Sequence, residues 1–411
     1  MIKDNVLVIG AGYVGLTFAV KIANEGFNVH CSDIDKTKLK ELSLGKTSIP
    51  EKNLKRDLYK LVKKKKLSFS NNSNYSAKHV ILAISYFPKS PEKYIKILNK
   101  INFEKRPVIY IRSTIPIGFI NTKIVKFLEN KKNFKLNKDF FIVSAPERTL
   151  SGDALKELSV LPQLIGGTVV SYNKAKIFFK KLKIKSVFLG PAEAGELAKV
   201  YCNFSRLSHF NISNYLMSLC NTLDLNEQKI ISGIKFKYDR LNFLSEPGPG
   251  VGGFCLPKDS LVLGDSFKNN QNVFFNFPSI QYQLNLSIMK KNLEIIDSYL
   301  KKKSKILILG IAFKGMPETD DFRESFGQYA LKYLSRKYKV YSFDKNIKYE
   351  TLLKNKFNPI KKSQISKFNN ILIMNNNRYY KNIISKIKKI NFLYDPWRQV
   401  VKKTDKIYLK K

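Results

Sequence analysis

The stretch "VLVIGAGYVG", residues 6–15, constrains what this chain can fold into more than any other. Its continuous apolar start reads as a strand buried on both faces of a parallel sheet. Gly10, Gly12 and Gly15 follow at once, and "LTFAVKIANEG" then has a helical pattern that closes at Gly26. "NVHCSDID" supplies a second strand ending at Asp33. Strand, glycine turn, helix and strand in that order open a doubly wound α/β sheet.

Each glycine has its own task in such a turn. Gly10 permits the tight bend, Gly12 lets the backbone approach a pyrophosphate, and Gly15 lets helix and strand pack closely. The phosphates then sit on the helix N-terminus, where free N–H groups and the dipole favour anions. Tyr13 and Val14 open that helix and belong to the same cofactor site. Asp33 is placed to accept hydrogen bonds from ribose hydroxyls and to repel a 2'-phosphate, which predicts NAD rather than NADP.

The alternation continues through "HVILAI", "PVIYIRS" and "FFIVSAPE". From about Pro191 the pattern changes to apolar residues at helical spacing, running to about Phe236, interrupted by a glycine loop and resumed at "SIQYQLNLSIMKKNLEIIDSYLKKK". "KILILG" then starts a second α/β unit, with "GQYALKYLSRKY" as helix and "KVYSFD", "NNILIM" and "FLYDPW" as strands. The expected architecture is two Rossmann-like doubly wound parallel sheets joined by a long central helical region. Its divisions fall at 1–190, 191–302 and 303–411. Open parallel sheets bind ligands at the carboxyl ends of their strands, so two of them can hold two nucleotide-like ligands. The second unit lacks the three-glycine pattern and is expected to bind a nucleotide differently or not at all.

Composition sets outer limits. At 411 residues, 44% of them hydrophobic, there is room for two or three domains with real cores. The formal net charge is +42, from 74 basic and 32 acidic residues. Such a balance fits nucleic acid, an anionic membrane or a polyanionic small substrate. The lysines are nevertheless spread along the whole chain, the mark of a general compositional bias, and no nucleic-acid motif accompanies them. Cys31, Cys202, Cys220 and Cys255 form no C-x-x-C pair, and no secretory leader is evident, which points to a reducing cytoplasm. The apolar run from Val6 to Val20 is too short to span a bilayer. His30, His79 and His209 are scattered singly, so no histidine-based metal site is expected.

Several positions carry chemistry or ordinary structure. Lys199 and Asn203 project from one helix face; they either grip an oxygen that becomes negative during reaction or form a solvated polar stripe. Ser113 with Thr114, and Glu147 with Arg148, end apolar strands where a doubly wound sheet places its site residues, though turn chemistry accounts for them equally. In "GPGVGGFCLPKD" four glycines, among them Gly252 and Gly253, let the backbone lie against a ligand, and Cys255 is followed by Lys258 and Asp259. A free cysteine is commonly a small apolar filler. A cationic or helix-N-terminal setting turns it into a thiolate, and a thiol beside NAD serves to oxidise an aldehyde further.

Six stretches in order, "GAGYVGL", "STIPIG", "APERTLSGDALKEL", "GELAKVYCN", "GPGVGGFCLPKD" and "GIAFKGMPETDDFRES", make the chain resemble the UDP-glucose/GDP-mannose dehydrogenase family over essentially its whole length. The resemblance implies a four-electron oxidation of a nucleotide-sugar C6 alcohol to a carboxylate with two NAD+. It implies Cys255 as covalent nucleophile, Lys199 and Asn203 as oxyanion stabilisers, Asp259 with a water in proton transfer, and Glu147 and Thr114 in handling water for thioester hydrolysis. Ser113 falls to the cofactor site. Arg148, Gly252, Gly253, Lys258, Lys314 and Arg323 fall to the UDP-sugar, and Arg240 to an arginine that reaches across a homodimer built on the central helices. No nucleic acid and no membrane partner is implied. "PER" with "ELSVLPQLIGG" resembles the UDP-N-acetylhexosamine branch, whereas "GGFCLPKD" is close to what UDP-glucose enzymes carry. The chain departs from the family at "SYFP" (Ser85–Pro88), where relatives have a Thr-Pro stretch, at Phe119, where a small polar residue is usual, and at Tyr215, where glutamate is frequent. Two other readings compete: a two-electron NAD-dependent alcohol or hydroxyacid dehydrogenase, and a nucleotide- or nucleic-acid-binding protein without catalysis.

Overall fold

The computed structural model describes residues 4–73, 75–86, 91–101, 103, 106–267, 272–400 and 408–410. They fall into two compact units, 1–202 and 203–411, with the boundary inside one long helix, Ala192–Leu223. The helices that follow that boundary thus share a unit with the second sheet.

The first unit holds eight strands: β1 (Asn5–Ile9), β2 (Asn28–Ser32), β3 (Leu67–Ser70), β4 (His79–Leu82), β5 (Val108–Ile111), β6 (Phe141–Ser144), β7 (Gln163–Gly167) and β8 (Ser186–Phe188). Their order is β3-β2-β1-β4-β5-β6-β7-β8. The strand order reverses beside β1, which puts the glycine turn at the point where such sheets bind ligands. The pleat sends alternate residues to opposite faces. Val6 and Val8 accordingly enter one hydrophobic core, Leu7 and Ile9 the other.

The second unit holds β9 (Lys305–Leu309), β10 (Lys339–Phe343), β11 (Asn370–Ile373), β12 (Phe392–Tyr394) and β13 (Tyr408–Lys410), in the order β10-β9-β11-β12-β13. Ile306 and Ile308 face one core and Leu307 and Leu309 the other, the same device as in β1. Both sheets are parallel except for one antiparallel pair each, β6/β7 and β12/β13. The β7 segment "QLIGG" is short and ends in two glycines for a packing reason. A Cβ at Gly166 would stand 2.6 Å from the Gly195 nitrogen and the Pro191 carbonyl oxygen, so only glycine lets the strand lie on the start of the long helix.

The central helices are Ala192–Leu223, Glu227–Lys235, Cys255–Asp265 and Val273–Tyr299. Among the described residues no helix is long and apolar enough to cross a membrane. No group of three or more histidine, cysteine, aspartate or glutamate residues among them could hold a metal ion.

Candidate active site

At the glycine turn of the first unit the geometry follows the residue types. Gly10 has φ of +98°, a conformation an L side chain resists, and a Cβ there would meet the Ala83 carbonyl oxygen at 2.4 Å. A Cβ at Gly15 would stand 1.8 Å from the Gly10 carbonyl oxygen. A Cβ at Gly12 would meet nothing within 4 Å, and this N-cap makes no side-chain cap bond to the helix Tyr13–Asn24. An open cradle below an uncapped helix start is what a pyrophosphate needs, so the residues present fit NAD. Asp33, at the end of β2, accepts the Ala11 N–H at 2.8 Å through Oδ2 and the Asp35 N–H at 3.0 Å through Oδ1. Half-buried at the turn, it also pairs with Lys38 at 3.5 Å.

Val14 and Tyr13 are both half-buried in the first turn, and the Tyr13 hydroxyl is engaged within the protein. It donates to Glu51 and accepts the Gly152 N–H at 2.8 Å. Burial and the Glu51 carboxylate both push this phenol well above its ordinary range. Glu51 is itself buried and also accepts the Leu155 N–H at 3.2 Å, in the first turn of the helix Ala154–Val160. Glu51 therefore ties the cofactor turn to the "RTLSGD" segment. Lying outside every motif of the sequence, it gave no signal beyond being an acid before a helix.

Beyond β5 and β6 sits a buried polar cluster. Arg112 is fully buried, with its guanidinium carbon 3.9 Å from the Phe18 ring centroid. It pairs with Glu147 and donates to Gln163 Oε1 at 2.9 Å. The other oxygen of Glu147 accepts the Arg148 and Thr149 N–H groups, both at 2.8 Å. Burial raises the Glu147 carboxyl, but Arg112 and Thr149 outweigh it and hold it below the ordinary carboxylate range. Arg148 donates to the Pro162 carbonyl at 2.8 Å. Sequence reasoning passed over Arg112 and Gln163. The one available signal was an arginine directly after the apolar run "VIYI".

Ser113 is buried and its hydroxyl is used locally: it accepts the Ile84 N–H at 3.0 Å and donates to the Leu82 carbonyl at 3.2 Å. Thr114 is half-buried beside it. The turn that follows is held by Glu196 of the long helix, which accepts the Gly118 N–H at 2.5 Å and the Ile120 N–H at 2.9 Å. Burial nevertheless pushes this carboxyl up to about 7. Two of the departures noted in the sequence meet here. The Tyr86 and Phe119 rings lie edge to face at 5.2 Å, and Tyr94 packs on Phe119 at 5.7 Å. Phe87 and Pro88 lie outside the described residues. Further along the long helix Lys199 is half-buried.

In the second unit, Cys255 is the exposed first residue of the helix Cys255–Asp265. One turn later the buried Asp259 accepts the Asn203 amide N–H at 2.6 Å and pairs with Lys258 at 2.5 Å. The glycines before Cys255 are demanded by packing. Gly253 has φ of +90°, and a Cβ there would stand 2.8 Å from the Phe313 ring. A Cβ at Gly252 would meet the Glu324 carbonyl oxygen at 3.0 Å. The cysteine loop is thus laid against the segment 311–325 that follows β9. That segment carries Lys314, 5.5 Å from the Phe313 ring centroid, and the exposed Arg323, paired with Asp321 at 2.7 Å. Arg240 is exposed in the short helical turn Asp239–Leu241, and Tyr215 is 50% exposed on the long helix.

Residues 4–182 match the NAD binding domain of the UDP-glucose/GDP-mannose dehydrogenase family, and residues 193–280 match the central domain of the same family. The UDP-N-acetyl-D-mannosamine dehydrogenase of Pyrococcus horikoshii is 27% identical over 332 residues, 78% of each chain. The UDP-glucose 6-dehydrogenase of Campylobacter jejuni is 27% identical over 374 residues, 85% of this chain and 88% of that one. In fold, the chain is similar to the UDP-N-acetyl-mannosamine dehydrogenase of Staphylococcus aureus, with a TM-score of 0.82, 23% identity and coverage of 97% and 95%. With an open dinucleotide turn in one unit, a cysteine-headed helix in the other and both domain signatures in sequence, this chain belongs to the UDP-glucose/GDP-mannose dehydrogenase family and uses NAD.

Proposed function

We propose that this protein is a UDP-sugar 6-dehydrogenase that carries the C6 alcohol through to the uronic acid, with a UDP-N-acetylhexosamine favoured over UDP-glucose. The observation that carries the reading is Cys255, exposed at a helix start with Asp259, Asn203 and Lys258 linked one turn away. The helix start and the lysine both favour a thiolate. NAD, when bound, supplies the hydride acceptor for each of two oxidations. Gly10, Gly12, Tyr13, Val14, Gly15, Asp33 and Ser113 are its proposed binding residues.

Every other step falls to the chain. The Cys255 sulfur adds to the aldehyde carbon, forming a C–S bond and turning the carbonyl oxygen into an alkoxide. Lys199 and the second amide N–H of Asn203 hold that oxygen; Asn203 spends its first on Asp259. After the second oxidation the carbon is a thioester. Water adds to it, the C–S bond breaks, the carboxylate leaves and the thiolate is restored. Asp259 moves the proton, while Glu147 and Thr114 position the water. Held ionised by Arg112, Glu147 suits an acceptor role. Arg148, Arg240, Gly252, Gly253, Lys258, Lys314 and Arg323 are assigned to the UDP-sugar, which also gives the basic balance a use.

The preference for an N-acetylhexosamine rests on the names of the relatives: the Pyrococcus protein acts on UDP-N-acetyl-D-mannosamine, the Campylobacter one on UDP-glucose. A homodimer through the central helices is part of the proposal. Ile212 (51% exposed), Tyr215 (50%), Leu219 (41%) and Leu223 (64%) line one exposed stripe of the long helix. Functionally we keep the division into a cofactor region (1–190), a central region with the cysteine loop (191–302) and a sugar-nucleotide region (303–411).

The test is stoichiometry. Two NADH and one uronate per UDP-N-acetylmannosamine or UDP-glucose are expected, and Cys255→Ser abolishes uronate. One NADH per substrate with free aldehyde would leave a two-electron dehydrogenase instead.

A further inference from the structure

Phe254 immediately precedes Cys255, and its ring has two cationic neighbours. The Arg323 guanidinium carbon lies 4.4 Å from the ring centroid and the Lys258 Nζ 5.4 Å from it, both within cation–π range. Each cation is also anchored by a carboxylate. Asp321 takes Arg323 through two parallel bonds, Nε to Oδ1 at 2.9 Å and Nη2 to Oδ2 at 2.7 Å, and accepts the Arg323 backbone N–H at 3.0 Å. Asp259 takes Lys258 at 2.5 Å. Both long side chains are thus held, each between one carboxylate and the same aromatic ring.

Resting on the reading of Cys255 as nucleophile, we propose that Phe254 is a platform that collects Arg323 and Lys258 beside the thiol, and that Arg323 is a positioning residue setting how readily Cys255 ionises. This role is separate from a contact of Arg323 with the sugar nucleotide, since it operates before any ligand arrives. A cation near a thiol stabilises the thiolate and lowers the pH at which it forms. Cys255 is among the groups that act electrostatically on Arg323, after Asp321, and so the coupling runs between the two side chains. Lys258 and Asp259 share the helix of Cys255, and Asp320 and Asp321 act with Cys255 on Arg323 from the segment after β9. Helix Val273–Tyr299, packed on the cysteine helix, has no charged side chain before Lys290, and its titratable group in that stretch is Tyr282.

The experiment is the pH dependence of iodoacetamide alkylation at Cys255 in the full chain, without NAD or sugar, read on the Cys255 peptide by mass spectrometry. Arg323→Gln is expected to raise the alkylation midpoint by about one pH unit, a roughly tenfold slower reaction at neutral pH. Phe254→Leu is expected to raise it by about half a unit, and Phe254→Tyr, which keeps the ring, to restore it. An Arg323→Gln midpoint within about 0.2 pH units of the native one overturns the proposal. Because Arg323 is exposed, that variant keeps the test available should Phe254→Leu fail to fold. Unchanged midpoints with two NADH per uronate overturn this inference alone. The expected shifts without any uronate formation overturn the reading of Cys255 as nucleophile and leave the platform standing.

Discussion

The two sheets begin with the same turn and put it to different uses. Gly10 and Gly310 directly follow β1 and β9 with nearly equal φ, +98° and +94°. The acid at the end of the next strand closes each turn: Asp33 accepts the Ala11 N–H at 2.8 Å, and Asp344 accepts those of Ile311 and Ala312 at 2.7 and 2.8 Å. A later glycine lets the following helix press on each, Gly15 against the Gly10 oxygen and Gly327 against the Gly310 oxygen. From there they diverge. The first helix starts at Tyr13 with Gly12 as a bare N-cap. The second, Phe326–Leu334, is capped by Ser325, whose hydroxyl accepts the Gln328 N–H at 3.0 Å. The chain between Gly310 and that helix carries Phe313 and Arg323 to the cysteine loop. A helix start left uncapped keeps its N–H donors free for an anion, whereas Ser325 has already taken one of those of the second helix.

Four outcomes would break or sharpen this contrast. The largest is steric. Gly15→Ala drives a Cβ to 1.8 Å from backbone, and we expect a loss of at least about 3 kcal/mol in thermal or denaturant unfolding of the first unit. Gly327→Ala, at 2.5 Å, should cost about 1–3 kcal/mol in the second. If both are tolerated, the shared turn is no constraint. Next comes Gly12→Ala, whose Cβ has open space: stability should change by less than about 0.5 kcal/mol, while the KM for NAD rises about tenfold or more. An unchanged KM removes Gly12 from the cofactor cradle.

Ser325→Ala should behave in the opposite sense, costing about 1 kcal/mol of stability with the KM for NAD unmoved. The smallest effect is one of pH. Burial lifts Glu196 to about 7, from an ordinary value of 4.5, so the folded state holds its proton across that interval. Stability of the first unit therefore falls as pH rises from about 4.5 to about 7, and Glu196→Gln should flatten that slope. Glu147 works in the other direction. Its lowered carboxyl contributes stability above the ordinary carboxylate range, and that contribution is lost as pH falls through its folded value.

How far the chain could be read depended on whether a signal was local. The first turn was legible because its three glycines sit within six residues of each other and directly after an apolar run. The second unit does lack that compact pattern: the segment 311–325 separates Gly310 from Gly327, and only folding brings the two glycines together. The departures at Tyr86 and Phe119 looked independent in the sequence. They are one aromatic contact between loops after different strands. Arg112 and Glu51 were invisible for a related reason. A charged residue announces nothing about its burial until the partners that justify it, Glu147 and Gln163 for one, Tyr13 and two backbone N–H groups for the other, are brought in from distant positions.

By itself the sequence determined the α/β class, the strand and helix succession, the NAD turn and the family. Those rest on periodicity and on backbone freedoms that only glycine has, and both are local properties of the chain. Tertiary structure alone decided which helix start stays open, which carboxylates are paired, and that Phe254 gathers two cations beside Cys255. Capping, ion pairing and cation–π contact depend on which groups folding brings within a few ångströms, and separation along the chain does not encode that distance.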